Sequence, residues 1–188
     1  MASPETFNFT DGISGQIAKT GFMYTAYTGW AQCTIEYNPG SGAEIRAFFQ
    51  FDTSALPDDA TVTLVELNLV DSVIQPPSQT NSGSIWMGTW IGGTLDGNAA
   101  EFNGGTRVLA KYNFGSGFVD LGTSAKSFVN LTGATDIKVI GTYSGIVMQG
   151  YNFNRPRSKS QLRVTYTTPV GGSVKDVMTF NGIIPFKR

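Results

Sequence analysis

The chain has 188 residues, enough for one domain or one domain with a tail, and 40% of them are hydrophobic, which supplies a real core and excludes wholesale disorder. It has 23 glycines, 8 prolines, only 14% charged residues and a net charge of −1, a mixture that suits short strands and tight turns and excludes long helices. With no basic excess to neutralise phosphates, nucleic acid is excluded as a partner on electrostatic grounds.

The first residues, Met1 to Thr6, contain neither a basic region nor an apolar stretch, so no secretory signal is read there. No run approaches the roughly 20 apolar residues of a membrane span. The expectation is a chain that starts in the cytoplasm, or that has lost a leader, and has no membrane partner. Phe22 to Tyr27 and Cys33 to Tyr37 read as short strands, with the single cysteine, Cys33, as a buried thiol. Asn38-Pro39-Gly40-Ser41-Gly42 is a turn. Ile45 to Asp52 is the clearest strand and places Ile45, Ala47, Phe49 and Phe51 on one face at period two. Leu56-Pro57-Asp58-Asp59 turns the chain into a strand over 60–70, whose apolar pattern switches faces near Val65, as a bulge would cause.

A polar loop over 75–83 leads to a strand over 84–91 carrying Trp86 and Trp90, and 92–105 reads as a long Gly/Asn-rich loop. Further strands are predicted at 107–112, 118–121, 127–131, 136–142, 145–149 and 161–167, with short helical stretches around 122–129 and 174–179. Strands at this spacing predict an all-β fold, an antiparallel, jelly-roll-like β-sandwich. The domain spans 1–168. Residues 169–188 form a Gly-Gly hinge and a tail with Val174, Val177, Met178, Phe180, Ile183, Ile184 and Phe186. Burying each such side chain fully is worth about 1.5–3 kcal/mol, so the tail either folds back on its own sandwich or docks on another subunit.

Chemistry is constrained by absences. Without histidine there is no Ser-His-Asp or Cys-His nucleophile and no His-ligated zinc, and one cysteine cannot build a thiolate cluster. No phosphate-cradling glycine motif occurs. Asp58 and Asp59 are adjacent in a turn and read as solvated residues, not as a glycosidase pair. The expectation is a non-enzymatic protein with no cofactor. Calcium remains an option, through Asp96, Asn98, Glu101 and Asn103 in one loop. Trp86 and Trp90 share one side of their strand and either enter the core or form a platform for a sugar ring, with Tyr151 as a second glycan-contact candidate. Asn8-Phe9-Thr10 and Asn130-Leu131-Thr132 match the glycosylation pattern.

Arg46 to Pro57, ending in Phe51-Asp52-Thr53-Ser54-Ala55-Leu56-Pro57, followed by Ala60-Thr61-Val62 and Leu67-Asn68-Leu69, resembles the start of the DNRLRE-type β-sandwich domains, which are similar to carbohydrate-binding module family 96. Ser160-Gln161-Leu162-Arg163-Val164-Thr165-Tyr166 resembles their closing strand. The resemblance implies a β-sandwich. In the middle only Thr89-Trp90 keeps the family pattern and its acidic neighbour is missing, so no ligand residue is carried over. Val174 to Gly182 resembles short segments of phage tail and fibre proteins.

Three functions follow as expectations. The first is a structural protein of a virus particle, a capsid decoration, head-fibre or tail-associated subunit, located in the virion and partnered by other virion proteins or copies of itself as a homo-oligomer. The second is a carbohydrate-binding module that recognises surface or host glycans. The third is a self-assembling filament or surface-layer subunit.

Overall fold

The computed structural model describes residues 2–8, 15–28, 36–38, 43–69, 82–88, 95–113, 117–141 and 160–169. In chain order the elements are β1 (Ser3–Asn8), β2 (Gly15–Thr20), β3 (Met23–Thr28), β4 (Glu36–Asn38), β5 (Ala43–Asp52), β6 (Thr61–Asn68), β7 (Ser82–Gly88), α1 (Ala99–Asn103), β8 (Thr106–Asn113), β9 (Val119–Asp120), a 3₁₀ helix (Thr123–Phe128), β10 (Ala134–Gly141) and β11 (Gln161–Thr167). They form a four-stranded sheet in the order β1-β11-β6-β9 and a seven-stranded sheet in the order β3-β2-β5-β10-β7-β8, with β4 added to β5. Every pairing is antiparallel.

Without β2–β4, eight strands remain, and they pair in a nested way. The first pairs with the last (β1 with β11), the second with the seventh (β5 with β10), the third with the sixth (β6 with β9) and the fourth with the fifth (β7 with β8). Alternate pairs fall in opposite sheets, which is the pairing of a jelly roll. The β2–β3 hairpin is an insertion before β5 that prolongs the second sheet.

The period-two pattern of β5 sends Ala47, Phe49 and Phe51 into the space between the sheets, where all three are fully buried, while Ile45 is half-buried. They meet Val65 and Leu67 of β6, Ile85 and Met87 of β7, Ile137 and Val139 of β10, and Leu162 and Val164 of β11. Phe49 and Phe51 stack with centroids 6.4 Å apart. The expected face switch in β6 is a bulge. Leu64 opposes Thr165 and Val62 opposes Tyr166, which leaves Thr63 unmatched, so Val62 and Val65 both reach the core.

Two polar anchors fix the frame, one between the sheets and one within the second sheet. The Tyr112 hydroxyl of β8 donates to the Leu67 carbonyl at 3.1 Å and accepts from the Leu69 amide at 3.0 Å, bridging the two sheets. Burial raises its pKa. Just after β5, the buried Thr53 hydroxyl lies 2.6 Å from the Asn130 carbonyl, 2.9 Å from the Gly133 carbonyl and 2.8 Å from Thr135 Oγ1, which ties the end of β5 to the start of β10.

Several expectations are corrected. Residues 127–131 are not a strand. The chain makes the 3₁₀ turn of the short helix expected there, burying Ala125 and Val129, four apart, and Asn130 Oδ1 then accepts from the Thr132 amide at 3.0 Å. The expected loop over 92–105 contains α1. Strands β1 and β2 carry one large apolar residue each, Phe7 and Ile17, and periodicity alone does not reveal them. Asp58 and Asp59 are exposed in their turn as expected. Cys33, the strand at 145–149 and the 170–188 segment lie outside the described residues.

Tyr112→Phe is expected to lower the unfolding free energy by about 1–3 kcal/mol, because it leaves a buried amide and a buried carbonyl without their shared partner. Urea denaturation of the two proteins measures the loss, and an unchanged midpoint would show that the bridge contributes nothing.

Candidate functional site

The second sheet has no bare outer face in its middle. Opposite residues of five strands form a cross-strand row there, Gly15–Phe48–Lys138–Trp86–Arg107, running from β2 to β8. Phe48 and Lys138 are both fully buried although they point away from the main core. Phe48 packs with Ile17, Leu95 and Phe102 in a second cluster, flanked by Tyr24 and Ala26. What covers this face is the excursion 95–105 between β7 and β8.

Its fold is local chemistry. Asn98 caps α1 by accepting from the Glu101 amide at 2.9 Å. Glu101 reaches back and its carboxylate accepts from the amides of Asp96 at 3.0 Å, Gly97 at 2.8 Å and Asn98 at 3.2 Å. The loop read as a calcium option is therefore a capping box, and its central carboxylate is buried and engaged with backbone. Among the described residues no three of His, Cys, Asp and Glu come together as metal ligands. Gly97 has φ +71°, and a Cβ there would lie 2.5 Å from the Ala26 amide nitrogen of β3.

At its other end α1 leaves carbonyls without intrahelical donors. Lys138 Nζ donates to the Phe102 carbonyl at 2.8 Å, to the Glu101 carbonyl at 3.4 Å and to the Gly104 carbonyl. Arg46 Nη1 also donates to the Phe102 carbonyl, its guanidinium carbon lies 3.9 Å above the Phe102 ring, and its Nε pairs with Glu44 at 2.6 Å. An ammonium has three N–H donors, and three carbonyls face this one. Burial pulls the Lys138 pKa down to about 7, and the Arg46 charge adds to the effect while Glu44 opposes it.

Trp86 stands at the border of the covered patch. It points to the outer face, whereas its neighbours Ile85 and Met87 point into the main core and are fully buried. Its ring is half-buried, its indole N–H donates to Ser84 Oγ at 2.9 Å, and Lys138 Nζ lies 5.4 Å from its centroid. Arg107 is directly opposite Trp86 on β8 and exposed. Where β7 ends and β8 begins, a cleft of about 560 Å³ is lined by residues including Gly88, Asn98, Glu101, Gly104, Thr106 and Phe128, and neither Trp86 nor Arg107 is among its described lining residues. An aromatic ring with a guanidinium on the facing strand can stack on a hydroxyl-rich ligand. Among the described residues of the cleft wall the only acid is Glu101, and its carboxylate is spent on backbone amides. Trp90 and Tyr151, the other glycan-contact candidates, lie outside the described residues, as do the seven apolar tail residues.

The roles of Lys138 and α1 escaped the sequence reading, but each left a signal. Lys138 interrupts the apolar run Ile137 to Ile140, and Asn98 to Glu101 has the spacing of a capping box.

Lys138 gives a signed pH prediction. Its folded pKa is depressed from 10.5 to about 7, so between those values the unfolded chain binds more protons than the folded one. The stability it contributes is complete above 10.5 and falls as pH drops to about 7. The stability difference between wild type and Lys138→Met is expected to increase with pH across that window, by up to about 1.4 kcal/mol per pH unit. Denaturant melts at four pH values measure it, and a flat difference would exclude the depressed pKa.

No protein-family model matches the chain, and no curated protein is significantly similar to it.

Proposed function

We propose that this chain is a non-enzymatic structural subunit of a virus particle, a capsid-decoration, head-fibre or tail-associated protein that binds neighbouring subunits through the surfaces of its sandwich. The observation that carries this reading is the jelly-roll pairing with one sheet prolonged by the β2–β3 hairpin. At the tip of that hairpin Phe22 is wholly exposed, beside Met23 at 71% exposure. Jelly rolls build capsid and lectin domains alike, so the support from fold is analogy. The tip adds a physical reason, because a projecting aromatic residue gains free energy only by entering a neighbour's pocket.

Mass spectrometry of particles from the source organism tests the reading, and particles lacking the chain would sink it. In solution, Phe22→Ser is expected to change stability by less than about 0.5 kcal/mol and to abolish particle binding or self-association. Unchanged binding would remove the tip from the interface.

A carbohydrate-binding role is the second reading, favoured by the half-exposed Trp86 ring beside Arg107. It predicts glycan-array signal lost in Trp86→Ala with the fold intact. An array silent for the wild type would end it.

A further inference from the structure

We propose that the excursion 95–105 is a proton-operated flap, which lies closed over the outer face of the second sheet while Lys138 is an uncharged amine and opens as that amine takes up a proton. Opening uncovers Phe48 and Ile17, which the closed flap buries against Leu95 and Phe102. The inference rests on neither the particle reading nor the glycan reading.

The donors beneath the flap suffice without the proton. The carbonyls of Glu101, Phe102 and Gly104 face the Lys138 nitrogen, and Arg46 Nη1 also donates to the Phe102 carbonyl. An uncharged amine keeps two N–H donors, so it and Arg46 together supply one to each of the three carbonyls. Losing the proton therefore leaves none of these carbonyls bare. It also removes one of two cations that converge on a single carbonyl oxygen, in a place where the lysine side chain is fully buried. Burial and the Arg46 charge accordingly bring the Lys138 pKa to about 7.

The other charges nearby are engaged or set apart. Glu44 pairs with Arg46 at 2.6 Å, and its opposing effect on Lys138 is smaller than that of Arg46. The Glu101 carboxylate faces the other way, onto the amides of Asp96, Gly97 and Asn98, and Asp96 itself is exposed. Asp136 on β10 accepts from Gln50 Nε2 at 2.9 Å. Lys19 and Tyr24 lie against the Phe102 ring, and Arg107 stands beyond Trp86 on β8.

The flap is built to move as a unit. Its capping box, Asn98 with Glu101, is internal to it, and no residue of 95–105 belongs to the described core between the sheets. A five-residue helix has no stability of its own, so its contacts with the sheet hold it in place. In the open flap the amine meets water and returns to its ordinary 10.5. Between about 7 and 10.5 opening takes up a proton, and each pH unit of acidification raises the opening constant about tenfold. Below about 7 the amine is protonated in both forms and the constant is level.

Hydrogen exchange of the full chain tests this. It follows the amides of Phe102 and Gly104, which donate to the Asn98 and Ala100 carbonyls, with intrinsic rates divided out at each pH. Their protection is expected to be level up to about pH 7 and to rise about tenfold per unit above it. They are expected to exchange at least about tenfold faster than the β5–β10 ladder amides, because the flap opens without the sandwich. Protection that ignores pH, or flap and ladder amides that exchange together, would overturn the proposal. In Lys138→Met the pH dependence is expected to vanish, and its persistence would overturn Lys138 as the proton acceptor. Where that variant does not fold, the ¹³Cε shift of Lys138 in the wild type decides. A titration centred at about 7 supports the flap. An amine still charged above about pH 9 overturns it.

Discussion

Strands β5 and β10 have to bury both of their faces, and the way the outer face is closed governs much of the rest. A sandwich sheet ordinarily shows one face to water. Here Phe48 points outward, with Lys138 opposite it on β10, and neither is solvated. The excursion 95–105 closes over them because Lys138 and Arg46 supply the donors that the end of a five-residue helix lacks. Phe102 then fills the gap between Phe48, Ile17 and the Arg46 guanidinium. Gly97 in turn seats against Ala26, which ties the excursion to β3 and so sets where the hairpin lies.

Burying an ammonium is costly, and the protein meets the cost with carbonyls that would otherwise be unsatisfied. The two needs cancel each other. The helix end requires donors in a place water does not reach, and the cation requires acceptors in the same place. An apolar residue at 138 would leave the carbonyls bare, and a longer helix would leave no carbonyls there to cap.

The inner core of Phe49, Phe51, Leu67, Ile85 and Val139 is of a kind that serves any jelly roll and says little about activity. What individualises this chain is outside that core. The uncovered part of the outer face offers Trp86 and Arg107, and the β2–β3 hairpin offers Phe22, Met23 and Tyr27. These surfaces are suited to contact. The Glu101 carboxylate on the cleft wall is committed to backbone amides of the excursion.

The amino-acid sequence by itself determined the strands with strong alternation, β5, β6 with its bulge and β11, because apolar residues at period two can be hidden on one face only by an extended chain. It also determined the turn after Thr53 and, because the chain has no histidine, the absence of histidine-dependent chemistry. Only the tertiary structure decided the rest. Strands β1 and β2 hold one large apolar residue each and exist because neighbours supply their ladders. Asn98 and Glu101 offer oxygens equally well to a cation and to backbone amides, and the folded backbone brought the amides. Trp86 could face either way until Ile85 and Met87 were drawn inward together. Lys138 is an ordinary surface residue by type, and it became a buried anchor because carbonyls from a segment more than thirty residues earlier arrive at its ammonium.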